Sequence, residues 1–305
     1  MSAATVVITT KNRMYDLRKA VNSAMAQTGR PEVLVIDDGS TDGTPRMMAK
    51  EFPQVAFVRS ETSQGYIAQR NRAAERASSR ILFSIDDDAV FSAPDIVERT
   101  LEQFDHPRVG AVAIPFVDVN RSAEIKNKAP SSSQVFASYT YIGTAHAVRR
   151  DLFLQLGQYR EELVHQGEEE DFCTRMLASG FITRPGTSAP IHHFESLQRD
   201  WTRMDFYGSR NKILYAWCNV PGPYLVTHLA ATTVKTLLYN LHPRRFRARL
   251  LGVLKGYGLI LRHGCRRAPV PAALYRLSRR IKMAGMLPLQ EVEPELPELA
   301  LSSHE

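Results

Sequence analysis

Cysteine is scarce in this chain: three in 305 residues, Cys173, Cys218 and Cys265, far apart and odd in number. No CxxC occurs, so the sequence carries no disulfide framework, and a reducing cytoplasm is the expected setting. Long hydrophobic runs are lacking too. The longest uncharged stretch of the C-terminal part, NVPGPYLVTHLAATTV, contains two prolines, a glycine and a histidine. It falls short of the roughly 20 apolar residues that span a bilayer. The opening MSAATVVITTKNR has too short an apolar part for a secretory signal. Acid is missing from one region: residues 206–290 hold 15 Lys and Arg and no Asp or Glu. Residues 1–205 hold 24 basic and 27 acidic residues, so the net charge of +7 belongs to the later segment and not to the bulk of the chain.

With 44% hydrophobic residues the chain can bury a sizeable core, which excludes disorder throughout. The first 120 residues alternate between short apolar runs and helical patterns. TVVITT (5–10), EVLVIDD (32–38), VAFVRS (55–60), RILFSIDDD (80–88) and VGAVAIPFV (109–117) read as strands. MYDLRKAVNSAMAQT and TPRMMAKEF read as helices between them, YIAQRNRAAERAS as an exposed helix, and Ser92 with Pro94 and Asp95 as a helix start. Nearly all-apolar strands separated by helices predict an α/β fold, with a mostly parallel sheet covered on both faces. Ligands of such sheets bind outside the carboxyl ends of the strands. Thr9, Thr10, Lys11 and Asn12, then Asp37 and Asp38, then Asp86, Asp87 and Asp88 lie at those ends and are expected to converge on one crevice.

Three adjacent carboxylates repel one another unless something positive neutralises them. One reading of Asp86–Asp88 is a cap for the helix that follows. The other is a divalent cation, Mg²⁺ or Mn²⁺, held by one or two carboxylates and by substrate phosphates. DDGSTDGT (37–44) is a tight turn by composition, in which Asp38 could accept hydrogen bonds from a base or ribose. Arg70 sits on a helix and reads either as a solvated charge or as a ligand-facing one. GEEED (167–171) places four acids at a helix start, where they favour the dipole.

Taken in order, VVITTKNR, DDGSTDGT, GYIAQRN, IDDDA, YIGTAHAVRRDLFLQLGQYREELVHQGEEEDFCTRMLASGF, IHHFES and FYGSRNK resemble the family 2 glycosyltransferases over about residues 5–215. The last two elements look like its rhamnosyltransferase-like branch. The resemblance implies a Rossmann-like GT-A fold and inverting transfer of a sugar from a nucleotide-diphospho-sugar donor to a hydroxyl of a glycan or lipid-linked acceptor. It implies that Thr9, Thr10, Lys11, Arg13, Asp38 and Arg70 face the nucleotide, with Lys11 where an aromatic residue is usual. Asp86 and Asp87 would approach the ribose and the metal, Asp88 would bind the metal directly, and His192, ahead of His193, would be the other protein ligand. By the same match Glu169 would be the catalytic base, with Glu168 the next choice and Asp171 positioning a neighbour. Gln69 stands where the family usually has Ala.

Beyond about residue 220 the resemblance fades. The expected organisation is a catalytic domain over 1–220, a basic amphipathic helical extension over 221–288 and a loose acidic tail over 289–305. The basic helices could lie on an anionic membrane at the inner face of the bilayer, or pack their leucines on the catalytic domain. A nucleic-acid binder is the rival suggested by the charge, but acids gathered at strand ends would repel phosphate without a metal, and no nucleic acid is expected as a partner. A non-catalytic nucleotide-sugar-binding protein is the other rival.

Overall fold

The expected alternation is present in the first part of the computed structural model, which describes residues 2–196, 198, 200–262 and 265–299. It runs β1 (Ala4–Thr10), α1 (Met14–Met25), β2 (Glu32–Asp37), α2 (Thr44–Glu51), β3 (Ala56–Arg59), α3 (Tyr66–Arg76) and β4 (Ile81–Asp86). Next come β5 (Ala89–Phe91), α4 (Ile96–Leu101), β6 (Val109–Ala113), β7 (Phe116–Asp118), β8 (Phe136–Ser138), β9 (His146–Arg149), α5 (Arg150–Gln155), α6 (Glu168–Ala178), β10 (Ile182–Pro185) and β11 (Ile191–His193). The chain ends with α7 (Trp201–Asn219), α8 (Gly222–Leu238), α9 (Pro243–Leu261), α10 (Ala272–Ala284), β12 (Met286–Pro288) and α11 (Leu289–Val292).

The main sheet has nine strands in the order β12-β8-β10-β6-β9-β4-β1-β2-β3. The part built by the first strands of the chain, β3-β2-β1-β4, is parallel throughout. Every residue of β1 is buried, because both faces of this part are covered. Val6, Ile8, Val33 and Val35 pack with Leu17 and Val21 of α1, while Val7, Leu34 and Ile36 face Ala73 of α3. Each such aliphatic side chain contributes about 1.5–3 kcal/mol by leaving water. The other part is mixed: β9 runs antiparallel between β4 and β6, whereas β10 is parallel to β6. A second, three-stranded sheet, β5-β11-β7, stands beyond the end of β4.

Several expectations change. The fourth strand stops at Asp86, and Asp87 and Asp88 form the turn into β5 rather than the end of a strand. Ser92 caps nothing, since its hydroxyl donates to the Pro190 carbonyl at 2.6 Å. Helix α3 is not a solvated helix, for Gln69, Arg70 and Asn71 are all buried. The acidic segment after 288 is not loose as far as residue 299. β12 pairs with β8, and Leu289, Val292 and Leu296 bury against Val109 and Leu277. Two of its acids are paired, Glu293 with Arg108 at 2.8 Å and Glu295 with Arg280 at 2.6 Å. Apolar burial thus overrides the composition that suggested a tail; residues 300–305 lie outside the described residues.

Helices α7 and α9 pack closely. A Cβ on Gly252 would fall 2.2 Å from the Phe206 carbonyl oxygen and one on Gly256 2.9 Å from Ile213, so glycine is what lets the two backbones meet. Cys218 at the end of α7 and Cys265 after α9 are joined as a disulfide, and Cys173 is free and buried. This pairing departs from the expectation of unlinked cysteines. It is made by helix packing across 47 positions of sequence, which spacing does not reveal.

Candidate active site

The parallel strands β1, β2 and β4 end side by side, with Thr9 opposite Ile36 and Asp86, and Thr10 opposite Asp37. Above those ends opens a cavity of about 490 Å³. Thr9, Thr10, Lys11, Arg13, Asp38, Arg70, Asp86, Asp87, Asp88 and Glu169 all line it, so the strand-end residues do converge.

Asp38 is committed to the protein itself. Its carboxylate accepts from the Gln64 amide at 2.7 Å, the Gly65 amide at 3.1 Å, Gln69 Nε2 at 2.7 Å and the Ser63 hydroxyl. Burial works to raise its pKa, but these donors hold it below the ordinary carboxylate value. Four donors fill the lone-pair sites of a carboxylate, so Asp38 fixes the loop over residues 63–65 beside the cavity. Gln69, the departure from the family pattern, supplies one of those bonds and a second to Ser60 at 2.8 Å.

The three aspartates divide their work. Asp86 points to the cavity and holds Arg70 Nη2 at 2.6 Å. Asp87 turns inward, where the Thr10 hydroxyl donates to it at 2.8 Å, and burial pushes its pKa up to about 7 against the pull of Arg13. Asp88 pairs with Arg13 and lies 3.3 Å from His193 Nε2. Burial tends to raise its pKa, and the hydrogen bond and charge of His193, with Arg13, hold it low.

The second sheet delivers the histidine. Since β5 begins right after Asp88 and β11 pairs with both β5 and β7, His193 falls opposite Ala89 and Asp118. Its Nδ1 lies 2.6 Å from Asp118 Oδ1, and Asp118 is in turn held by Lys126 at 2.9 Å. With Nδ1–H donating to Asp118, Nε2 is left facing Asp88. Ligand atoms of Asp86, Asp88 and His193 lie within 4.8 Å of one another. Two carboxylates and an imidazole with its own carboxylate partner suit a divalent cation such as Mg²⁺ or Mn²⁺, so the residues present fit the ion. His192 is not in this group. Successive residues of a strand point to opposite faces, so the histidine that meets Asp88 is the second of the pair, not the first.

Glu168 and Glu169 open α6, after Gly167 in a left-handed conformation (φ 89°). Glu168 is fully buried and lies 3.3 Å from Arg70 Nη1, whereas Glu169 faces the cavity. Burial raises the pKa of both; the charge of Glu169 adds to the rise at Glu168 and that of Asp86 to the rise at Glu169, while Arg70 partly offsets each. Arg70 is itself buried, stacks 4.8 Å from the Tyr66 ring, and links Glu168 to Asp86. Gly143 keeps this corner open, for a Cβ there would fall 2.6 Å from Arg70 Nη1 and 2.7 Å from Glu169 Oε1. Asp171, expected beside them, does not line the cavity. It is buried in a link with Arg160 at 3.0 Å, Arg175 at 2.9 Å and Asn219 at 2.7 Å.

FYGSRNK holds this region from behind. Asn211 Nδ2 donates to the carbonyls of Leu163, His165 and Gln166 at 2.6–2.8 Å, and Arg210 Nη2 donates to Glu162 and Leu163 at 2.6 Å. Val164 and Gln166 have φ of 59° and 68°, a conformation non-glycine residues adopt rarely and keep only where surroundings impose it. Tyr66, Asp118, Gly143 and Gln166 are site residues that the sequence reading missed. Asp118 carries the same signal as the others, an acid closing an apolar strand. The rest depend on contacts between distant segments.

The model of the family described as "Glycosyl transferase family 2" matches residues 5–157. The succinoglycan biosynthesis protein ExoU of Rhizobium meliloti is 30% identical over 196 residues, 57% of this chain and 57% of that protein. The O-antigen chain rhamnosyltransferase WbaN of Salmonella anatum is 26% identical over 193 residues, 55% of this chain and 58% of that one. The chain thus spans just over half the length of these curated relatives. Among solved structures, the mannosyltransferase PcManGT of Pyrobaculum calidifontis in complex with GDP-Man and Mn²⁺ superposes with a TM-score of 0.58 at 19% identity, over 96% of this chain and 85% of that one. GalNAc-T7 with UDP, GalNAc and Mn²⁺ gives 0.61 at 16% identity, over 86% and 57%. These likenesses identify the fold as GT-A, and with half its length matched by the family model, this chain belongs to glycosyl transferase family 2.

Proposed function

We propose that this glycosyltransferase is an inverting, metal-assisted enzyme that moves a sugar from a nucleotide-diphospho-sugar to a hydroxyl of a glycan or lipid-linked acceptor. One observation carries the reading: Glu169 and the Asp86–Asp88–His193 group line the same cavity, with Arg70 between them holding Asp86 and the neighbouring Glu168. The GDP-Man with Mn²⁺ held by PcManGT and the UDP, GalNAc and Mn²⁺ held by GalNAc-T7 support the same donor chemistry. Asp86, Asp88 and His193 would hold a divalent cation, which when bound offsets charge on a departing diphosphate. Thr9, Lys11 and Arg13 would face the nucleotide, and the loop fixed by Asp38 would set that wall of the cavity.

Glu169 accepts the proton of the acceptor hydroxyl as its oxygen attacks the anomeric carbon, while the bond from that carbon to the diphosphate breaks and the centre inverts. A pKa raised by burial makes the carboxylate a stronger base than an exposed glutamate. Arg70, fixed by Glu168 and Asp86, keeps positive charge beside the reacting groups. The reading is tested by incubating a panel of sugar nucleotides with the enzyme and Mn²⁺, with and without chelator, and measuring nucleoside diphosphate release. Release from none of them, with no donor binding by calorimetry, rejects it.

We further propose a division of labour in which residues 1–220 bind donor and perform the chemistry and the basic helices of 221–288 rest on an anionic membrane. No helix of the described residues is long and apolar enough to cross one. Val226, Leu238, Leu254 and Leu261 nonetheless lie exposed on α8 and α9, among Lys and Arg, which is the make-up of an interfacial surface.

A further inference from the structure

A second cavity, about 530 Å³, lies among α7, α8, α9 and α10. It adjoins the first, since Gln166 and Met204 line both. Five cations from three helices line it: Lys212, Arg245, Arg249, Arg279 and Lys282. Two carboxylates, Asp205 and Glu170, accompany them. Asp205 holds Arg245 at 2.6 and 3.1 Å and Arg249 Nη1 at 3.3 Å, and Glu170 holds Lys282 at 2.9 Å. The lining therefore keeps an excess of positive charge. The His228 imidazole registers it: burial first, then the charge of Arg279, push its pKa below the ordinary value, with Lys282 adding to the effect and Glu170 opposing it.

Arg249 is the decisive residue. Its side chain is only 3% exposed, yet Nε and Nη2 are buried without a hydrogen-bond partner. Leaving charged donors unpaired away from water is costly, so folded chains keep few such groups, and at the wall of a cavity a ligand or bound ion is one partner that would satisfy them. Adjacent Nε–H and Nη2–H of one guanidinium form a fork that fits two oxygens of a single phosphoryl or carboxyl group. Cations arriving from three helices around that fork exceed what one carboxylate would balance and match the higher charge of a phosphate or diphosphate.

We propose that this second cavity binds the acceptor through a phosphate or diphosphate group, held by Arg249 with Lys212 and Arg279, so that the hydroxyl to be glycosylated reaches into the neighbouring donor cavity. This rests on the reading of the first cavity as the donor site. The acceptor could bring its phosphoryl group as a water-borne sugar phosphate or as a membrane-embedded polyprenyl diphosphate sugar, and the shared chemistry is what the cavity selects.

The test uses the full chain and inorganic pyrophosphate as probe, by calorimetry in EDTA so that no metal draws the probe to the donor cavity. Arg249→Gln, and separately the double variant Lys212→Gln with Arg279→Gln, which changes only less buried side chains, should each weaken pyrophosphate at least about tenfold, as expected for lost charged hydrogen bonds. Nucleoside diphosphate with Mn²⁺, titrated into the same variants, reports whether the donor cavity is intact. Pyrophosphate that fails to bind wild type, or binds both variants unchanged, overturns the proposal. Failure of nucleoside diphosphate to bind wild type removes the donor reading instead, and leaves the pyrophosphate result to stand on its own. In transfer assays, a soluble sugar phosphate and a prenyl diphosphate sugar in vesicles distinguish the two sources. Loss of transfer to either in the double variant supports the proposal, and equal transfer to a dephosphorylated acceptor overturns it.

Discussion

The two cavities meet at Gln166 and Met204 but are built by opposite means. The proposed donor cavity stands on strand ends, and its charges are largely matched in place: Asp38 by four donors, Arg70 by Asp86 and Glu168, His193 by Asp118, with only Arg70 Nε and Glu168 Oε2 among these side chains left without a partner. The second cavity stands on helix faces, and its charges are left in excess, with two nitrogens of Arg249 unpaired. Hydrogen-bonded backbones impose the spacing of strand ends, so chemistry placed there can be held rigidly before any ligand arrives. No backbone hydrogen-bond ladder joins helices, so the lining of the second cavity is set by side-chain packing and, between α7 and α9, by the close approach that Gly252 and Gly256 allow. The difference predicts that substitutions in the first cavity damage chemistry, while those around the second damage recognition.

The largest break should come at Glu169. Glu169→Gln removes the proton acceptor without changing shape and should lower turnover by about 10²–10⁴-fold, the span of general base catalysis, while donor affinity by calorimetry stays close to wild type. Turnover within a few-fold of wild type would reassign the base. The pH profile sharpens the point. A base acts only when ionised, so activity is present above its pKa and lost as pH falls through it. Burial raises that pKa, so the acid limb of the rate profile should lie above the ordinary glutamate value of about 4.3. Arg70 opposes the shift, so Arg70→Gln should move the limb further up in pH, in addition to whatever it costs in rate.

Next in size is the metal group, where adjacent histidines give an internal comparison. His193→Ala should abolish the Mn²⁺ dependence of donor binding, and His192→Ala should leave it intact. Asp118→Asn removes the carboxylate that orients His193 and should weaken Mn²⁺ by about 10–100-fold, as loss of such outer partners does elsewhere. Titration of Mn²⁺ into each variant checks all three. Equal losses at both histidines would contradict the strand alternation on which the assignment rests.

The same contrast explains what could be read from the sequence. Thr9, Asp38, Asp86 and Asp88 announced themselves because a strand end is a local event, an apolar run stopping at a polar residue. The parallel part of the sheet was legible for the same reason. His193 was harder, since choosing it over His192 needs the register of β11 against β5, about a hundred residues away, and against β7, about 75 residues away. Asp171 read as part of an acidic run, and only the positions of Arg160, Arg175 and Asn219 explain why it turns inward. The docking of residues 286–299 and the Cys218–Cys265 pairing were invisible for one cause: charge and spacing say nothing about which distant surface will cover a few leucines or meet a thiol.

A smaller effect is expected behind the donor cavity. Asn211→Ala leaves the carbonyls of Leu163, His165 and Gln166 without their donor and should cost about 1–3 kcal/mol for the buried groups left unpaired, read as a lower midpoint in urea. Because that loop leads straight into Glu169, turnover should fall more than donor affinity. An equal loss of both would place Asn211's effect on the fold alone and not on the position of the base.

The smallest effect on the fold, and the one that isolates the surface from both cavities, should come from Val226→Ser with Leu254→Ser. Both side chains are largely exposed, on α8 and α9, so neither contributes packing that serine removes. Stability should stay within about 0.5 kcal/mol of wild type, as for ordinary surface changes. If the basic helices rest on a membrane, these two residues insert where Lys and Arg attract anionic headgroups, and the fraction sedimenting with phosphatidylglycerol vesicles should drop while pyrophosphate binding is unchanged. Adding salt should release the wild-type protein only partly, because screening weakens the charged attraction and leaves the apolar contact. Wild-type protein that ignores such vesicles at low salt would confine the basic segment to the acceptor cavity, and its exposed valines and leucines would then have no membrane to meet.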